Sequence, residues 1–240
     1  DPRLIVKIAP AVAKAAMDSG IATRPIEDFD AYIEKLTQFV YKTSLFMRPI
    51  FNQAKQAPQR IIIAEGEEAN ALHATQEVIS MGLAKPILIG RQSVIEAKIK
   101  KLGLRLQAGV DFEIVDNENN PRYEECWKHY YELTKRKGIT QAIAKRVARS
   151  NTTVLASTLV SLGYADGLVC GLFGSYGKHL ASIQDIIGLK DGVKVPATLQ
   201  SLVLPSGNVF LTDTHVNTNP NAEELAEITL MAAEEDHRFG

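Results

Sequence analysis

The sequence predicts an α/β fold, a mainly parallel sheet with helices on both faces. Three observations predict it. From Arg60 onward, short apolar β-branched runs alternate with stretches of helical period. Glycines close several of those stretches, as at Gly82, Gly103 and Gly163. The composition, 45% hydrophobic and 23% charged over 240 residues, is that of a globular chain able to bury a core in one large or two modest domains.

Before the alternation begins, residues 4–19 space Ile8, Val12, Ala15 and Ala16 on one helical face, and Gly20 stops the run. Residues 23–29, "TRPIEDF", form a turn suited to a domain boundary. A helix over 29–53 carries the stripe Tyr32, Leu36, Phe39, Val40, Thr43 and Met47, which reads as packing surface, and Pro49 is expected to kink or split it. Strands then follow at 60–64, 85–90 and 112–116, with helices at 65–81, 94–102, 123–137 and 140–149. Asn151 caps a helix over 153–162. A strand at 167–170 leads through a glycine loop to a helix at 179–187. Residues 198–204 and 209–212 pair around "PSGN". The last helix, 222–239, turns Leu225, Ile228, Thr229 and Ala232 inward, with Asn219 as cap, Pro220 at the first helical position and acids in the first turn. No internal repeat or low-complexity segment interrupts the chain.

Lys and Arg number 27 against 28 Asp and Glu, so no overall field recruits nucleic acid or an acidic membrane. Two distant cysteines, Cys126 and Cys170, fit a reducing cytoplasm. No signal peptide is expected, and no apolar run is long enough for a bilayer. The opening without methionine and the ending "EEDHRFG" read as an excised fragment.

Three segments carry residues suited to chemistry. "AEGEE", residues 64–68, sits where a strand passes into a helix, the place where open sheets put ligands. Glu65, Glu67 and Glu68 suit a helix N-terminus in any case, and a functional role for them is to hold a basic partner. "CGLFGSYGKH" is the better anion cradle. Gly171, Gly174 and Gly177 let the backbone approach, Ser175 and Tyr176 bring hydroxyls, and Lys178 and His179 bring positive or switchable charge. The spacing is neither a Walker A loop nor a dinucleotide fingerprint, and a tight turn explains it equally well. Cys170, with His179 or His215 as base, has the makings of a nucleophile, although it ends an apolar strand where buried thiols are common. The third segment, "DTHVNTNPNAEEL", gathers Asp213, Thr214, His215, Asn217 and Asn219 between strand and helix. Some of these must satisfy turn and cap groups, and the rest are candidates to line a cleft. The five histidines show no metal-ligand spacing, so no metal site is expected.

Together "AEGEE", "KPILIGR", "KGIT", "GYADGLVCG", "DIIG" and "DTHVNTNPNAEELAEITLMAAEE" resemble the phosphotransacetylase family from about Pro58 to the last residue. The opening "DPRLIVKIAPAVAKAAMDSGIATRPI" resembles the closing segment of a bacterial malic enzyme catalytic region. In this order the two resemble fused NADP-dependent malic enzymes that end in a phosphotransacetylase-like domain. The resemblance implies an isocitrate-dehydrogenase-like fold in two subdomains, C-terminally incomplete here. It implies a division into the end of the malic enzyme region (1–26), a linking helical segment (27–57) and the two subdomains (58–150 and 151–240). It further implies a parent enzyme that decarboxylates malate to pyruvate with NADP and a divalent metal, Mg or Mn, at sites upstream of Asp1.

Several departures set this chain apart from a working family member. The family's loop carries a serine, a histidine and two threonines where this chain has Cys170, Gly174, Ser175 and Tyr176. An arginine–proline pair is Ala181 and Ser182 here, and an arginine after the acidic cluster is Asn70. Another arginine is Thr134, beside Lys135 and Arg136, and the family's catalytic serine and aspartate belong to a later segment. Acetyl phosphate carries about two negative charges that bidentate arginines are suited to hold. The expectation is therefore a cytoplasmic homo-oligomer in which this region regulates, with acetyl-CoA as effector and no catalytic residue of its own. The ligand-binding candidates are Gly171, Gly174, Ser175, Tyr176, Gly177, Lys178, Asp213 and Asn217. An active phosphate acetyltransferase and a purely structural assembly module are the alternatives.

Overall fold

The computed structural model describes residues 3–204 and 207–239, and of those the side chains except at 3, 38–46, 238 and 239. The chain divides into two compact units, one of Gln53–Gly192 and one of Asp1–Asn52 with Val193–Gly240. Helix α1 (Arg3–Asp18) leaves Ile8, Val12 and Ala15 exposed and Ala16 half-buried, so its apolar face is not core among the described residues. Helix α2 (Phe29–Gln56) runs through Pro49 unbroken, so the expected split does not occur. Of its stripe, Tyr32, Leu36 and Met47 are half-buried, and the side chains of Phe39, Val40 and Thr43 lie outside the described residues.

The sheet lies in the unit Gln53–Gly192. Strands β1 (Gln59–Ile63), β2 (Ala84–Ile89), β3 (Glu113–Val115) and β4 (Gly167–Val169) are all parallel, in the order β3-β2-β1-β4. Side chains alternate between two covered faces, which is why each strand reads as a continuous apolar run. Ile62, Ile87 and Ile89 face one side and pack with Cys126, Leu155, Ala156 and Leu159. Leu88 faces the other and packs with Leu72, Ile95, Ile99 and Phe112. The second face is covered by α3 (Ala69–Met81) and α4 (Gln92–Leu102), which close on Gly82 and Gly103 in left-handed conformation. The first is covered by α5 (Tyr123–Thr134) and α7 (Thr152–Ser161), while α6 (Gln141–Ser150) packs its small Ala144 and Ala148 beside Trp127 and Tyr130. The last turn expected for α5 is a 3-10 turn, Lys135–Lys137. Thr140 and Asn151 cap α6 and α7 through their side chains. Helix α7 has no wet side over its middle, where Thr153 through Leu159 are all buried. At the N-terminal end of β1, Arg60 and Asp166 form a bidentate ion pair with bonds of 2.7 and 3.1 Å.

In the other unit, β5 (Leu199–Leu204) and β6 (Gly207–Thr212) form the expected antiparallel hairpin, Leu199 opposite Thr212. Helix α9 (Ala222–Phe239) buries Ile228 but leaves Leu225 and Thr229 exposed, against expectation. Its cap is Asn221, not Asn219. The Asn221 side chain accepts from the Glu224 N–H at 3.0 Å, and the Glu224 carboxylate accepts from the Asn221 N–H at 2.8 Å. That reciprocal pair satisfies two donors at once, which a cap at Asn219 would not.

Candidate functional site

The strand order reverses at β1, with β2 and β3 to one side and β4 to the other. In open parallel sheets such a reversal leaves a crevice past the carboxyl ends of the two flanking strands. Here β1 passes into residues 64–68 and β4 into Cys170 and Gly171. A cleft of about 280 Å³ opens at this place, and Glu65, Glu67, Glu68, Arg91, Glu118 and Phe173 are among its lining residues.

The acidic segment is a turn, and α3 starts only at Ala69, four residues later than the sequence suggests. The cause is Gly66. Its N–H donates to the Ile89 carbonyl at 3.0 Å, and a Cβ on it would lie 2.8 Å from that oxygen. The chain must therefore pass close along β2 before it can coil. This turn aims the three glutamates differently. Glu67 accepts from the Arg91 backbone N–H and from Nε and Nη2 of the Arg91 guanidinium, each bond 2.9 Å. The Arg91 hydrogen bonds outweigh burial and hold the Glu67 carboxyl at about 2. Glu67 thus does hold a basic partner. Glu65 points inward and is buried, its Oε1 accepting from the Gly171 N–H at 3.0 Å. Its Oε2 is buried and meets no donor. Glu68 only begins the helix; its side chain makes no cap bond.

The glycine loop is brought to this edge by β4. Gly171 and Gly174 have φ of 103° and 98°, which suit glycine, and a Cβ on Gly174 would meet His179 Nε2 at 2.9 Å. His179 is the peg beneath the loop. Its Nε2 lies 2.9 Å from the Phe173 carbonyl, which can only accept, so Nε2 carries the proton. Its Nδ1 then accepts from the hydroxyl of buried Thr153 at 2.8 Å. With both nitrogens engaged, His179 has none left to serve Cys170 as base. Burial and the Glu65 charge raise the Cys170 thiol, the opposite of nucleophile activation.

Of the predicted ligand residues, Gly171, Gly174, Ser175, Tyr176, Gly177 and Lys178 come together on this loop and the first turn of α8 (Tyr176–Ile186), all exposed. The helix starts three residues earlier than 179 and absorbs Gly177. Ser175 stands at the cap position, but its hydroxyl makes no cap bond. Asp213 and Asn217 belong to the other unit. There the Asp213 carboxylate accepts from the backbone and side chain of Asn217, each at 2.8 Å, and Asn217 Nδ2 also donates to Pro196 O at 2.7 Å. Burial works to raise the Asp213 carboxyl, but these bonds and the Thr198 N–H outweigh it and hold it low. Both side chains are occupied in shaping their own turn, which puts Asp213 at a φ of 39°. Sequence reasoning missed Arg91, Thr153 and Phe173 as parts of the site. The "GR" after β2 and the place of Phe173 inside the glycine loop were usable signals; nothing local marked Thr153.

The positions where the resemblance led to an expectation of arginine hold no substitutes. Thr134 is buried with its hydroxyl on Tyr130 O at 2.7 Å, and neighbouring Lys135 is ion-paired with Glu132. Asn70 is exposed on the first turn of α3. Ser182 donates to Lys178 O at 3.0 Å. The cleft lining instead carries Glu65, Glu67, Glu68 and Glu118 against Arg91. Like unit charges about 6 Å apart cost about 2–3 kcal/mol at an effective dielectric near 20, so this lining disfavours a dianion.

Known proteins place the chain. The family model for phosphate acetyl/butaryl transferase matches residues 45–240. The NADP-dependent malic enzyme of Haemophilus influenzae is 87% identical over 240 residues, all of this chain and 32% of that protein. That of Escherichia coli is 60% identical over the same span. The chain therefore spans about a third of the length of these curated relatives. The phosphate acetyltransferase of Clostridium acetobutylicum is 34% identical over 191 residues, 77% of this chain and 56% of that protein. A phosphotransacetylase from Streptococcus pyogenes shares the fold with a TM-score of 0.72 and 25% identity, over 80% of this chain and 59% of that one. The phosphotransacetylase EutD of Staphylococcus aureus does so with a TM-score of 0.71 and 24% identity, over 81% and 58%. With its parallel sheet, its strand-end crevice and a match across residues 45–240, this chain belongs to the phosphate acetyl/butaryl transferase family.

Proposed function

We propose that this chain is the regulatory and assembly region of a larger NADP-dependent malic enzyme, that it binds acetyl-CoA, and that it transfers no acetyl group itself. The parent reaction is the oxidative decarboxylation of malate to pyruvate and CO2, with NADP and a divalent metal held elsewhere in the longer polypeptide. The names and identities of the two malic enzyme relatives support the parent. One observation carries the loss of catalysis. Arg91, the one arginine among the described residues lining the cleft, is held through Nε and Nη2 in a bidentate ion pair with Glu67, so its charge is already met by a carboxylate. Losing a single charge-stabilising contact at a reacting centre costs about 3–4 kcal/mol in the transition state, and here several are missing together. The exposed loop from Gly171 to Lys178 keeps backbone N–H groups and a helix N-terminus for a coenzyme A thioester. Binding at such a site shifts a distant equilibrium by about 1–3 kcal/mol, enough to tune the parent enzyme through a homo-oligomer.

Calorimetry with acetyl-CoA, a coupled assay from acetyl phosphate and CoA, and malate oxidation by the full-length enzyme with and without this region test the reading together. The expected result is binding without turnover, and an acetyl-CoA effect on malate oxidation that disappears with the region. Acetyl-CoA formation at an ordinary enzymic rate makes it an acetyltransferase instead. Self-association with no acetyl-CoA binding makes it an assembly module only.

A further inference from the structure

We infer that the cleft past β1 and β4 is a binding site for a nitrogen cation, a guanidinium or alkylammonium group, received on Glu65. Glu65 is only 4% exposed. One carboxylate oxygen accepts from Gly171, and the other is buried and accepts from nothing. A buried carboxylate with open lone pairs is costly unless a donor of opposite charge meets it. No neighbour in the cleft supplies one, since the Arg91 guanidinium is turned to Glu67 through Nε and Nη2 and does not reach Glu65 Oε2, and the remaining charged lining residues, Glu68 and Glu118, are acids. The lining therefore carries a net charge of −3, four carboxylates less one guanidinium. Among the described residues no group of three or more His, Cys, Asp or Glu could hold a metal ion, so the chemistry that fits is an N–H cation. Phe173, exposed on the same lining, adds an aromatic wall of the kind on which such cations rest. A volume of about 280 Å³ admits a group of that size. The inference does not rest on acetyl-CoA sensing.

The cation has two possible sources, a free ligand or an arginine or lysine of the polypeptide, and calorimetry separates them. Methylguanidinium chloride is titrated into the whole chain, with tetramethylammonium chloride, which has no N–H, as control. The expected result is saturable millimolar binding of methylguanidinium that weakens at least tenfold in Glu65→Gln, with no binding of the control. On the full-length polypeptide, retained binding identifies a free ligand. Loss of binding there, with a Glu65→Gln melting point lower by about 4 °C or more, identifies a side chain already in place. Absent binding in the chain itself likewise supports the inference only if Glu65→Gln melts lower. Equal binding to wild type and Glu65→Gln overturns it, as does equal binding of tetramethylammonium. So does absent binding with Glu65→Gln melting at or above the wild type. Should Glu65→Gln not fold, the double variant Glu68→Gln with Glu118→Gln is expected to weaken binding at least threefold, and unchanged binding overturns the inference.

Discussion

Gly66→Ala is the sharpest perturbation of the scaffold beneath the site. The added Cβ lies 2.8 Å from the Ile89 carbonyl oxygen and 2.8 Å from Leu88 Cβ. Both obstacles belong to β2, and Leu88 is fully buried, so neither is a side-chain tip that can swing aside. Relief requires residue 66 to move away from β2, which breaks its 3.0 Å hydrogen bond to Ile89 O. Overpacking of about 1–3 kcal/mol and a lost buried hydrogen bond of about 1 kcal/mol give about 2–4 kcal/mol of destabilisation. Gly82→Ala is the control. Its φ is 68° and a Cβ there meets nothing within 4 Å, so only left-handed strain is added. That strain costs about 1 kcal/mol. Urea unfolding is followed by the fluorescence of Trp127, which is buried in the same unit. With a slope of about 2–3 kcal/mol/M, the midpoint should fall by about 1–1.5 M for Gly66→Ala and about 0.4 M for Gly82→Ala. A Gly66→Ala midpoint no lower than that of Gly82→Ala refutes the close-approach argument.

Three further perturbations probe the parts separately. The Glu67 carboxyl is depressed from 4.5 to about 2, so its stabilisation is present above pH 4.5 and is lost as the pH falls through about 2. Glu67→Gln should therefore lower Tm at neutral pH by an amount corresponding to about 1–2 kcal/mol, given a half-exposed partner, with the gap closing towards pH 2. A gap independent of pH counts against it. His179→Ala removes the bonds to Phe173 O and Thr153, and amide exchange over residues 171–175 should quicken at least tenfold while α7 stays protected; unchanged loop exchange denies the peg. Asn221→Ala should cost about 1 kcal/mol by thermal unfolding, whereas Asn219→Ala should cost almost nothing. The reverse order would return the α9 cap to Asn219.

The strands were legible because their causes are local. Runs such as "RIIIA" and "KPILIG" combine β-branching with apolar character on both faces, and they pair in the sheet as read. The cap Asn151 was legible for the same reason, whereas Thr140, read as the first residue of its helix, is the cap that precedes it. The α9 cap was also readable, since Asn221 stands three residues before Glu224, but the neighbouring Asn219–Pro220 gave a competing signal. The misplaced start of α3 had a tertiary cause. Three glutamates suit a first helical turn, yet the approach of Gly66 to Ile89 overrides that preference. The candidate site was legible as a loop but not as a set of contacts. Glu65 meets Gly171 across 106 residues of sequence, and Thr153, read only as the start of a helix, carries the imidazole of His179.

Helix α7 has a consequence of its own. Within three consecutive residues it touches three different things: Thr153 grips the peg under the glycine loop, Val154 enters the cluster with Trp127 and Ile186, and Leu155 lies on the sheet beside Ile62. With no watery flank along its middle, the rod has no slack into which a push can dissipate. Through Thr153 the glycine loop is therefore tied to the one helix that also packs on the strands and on the bundle behind them.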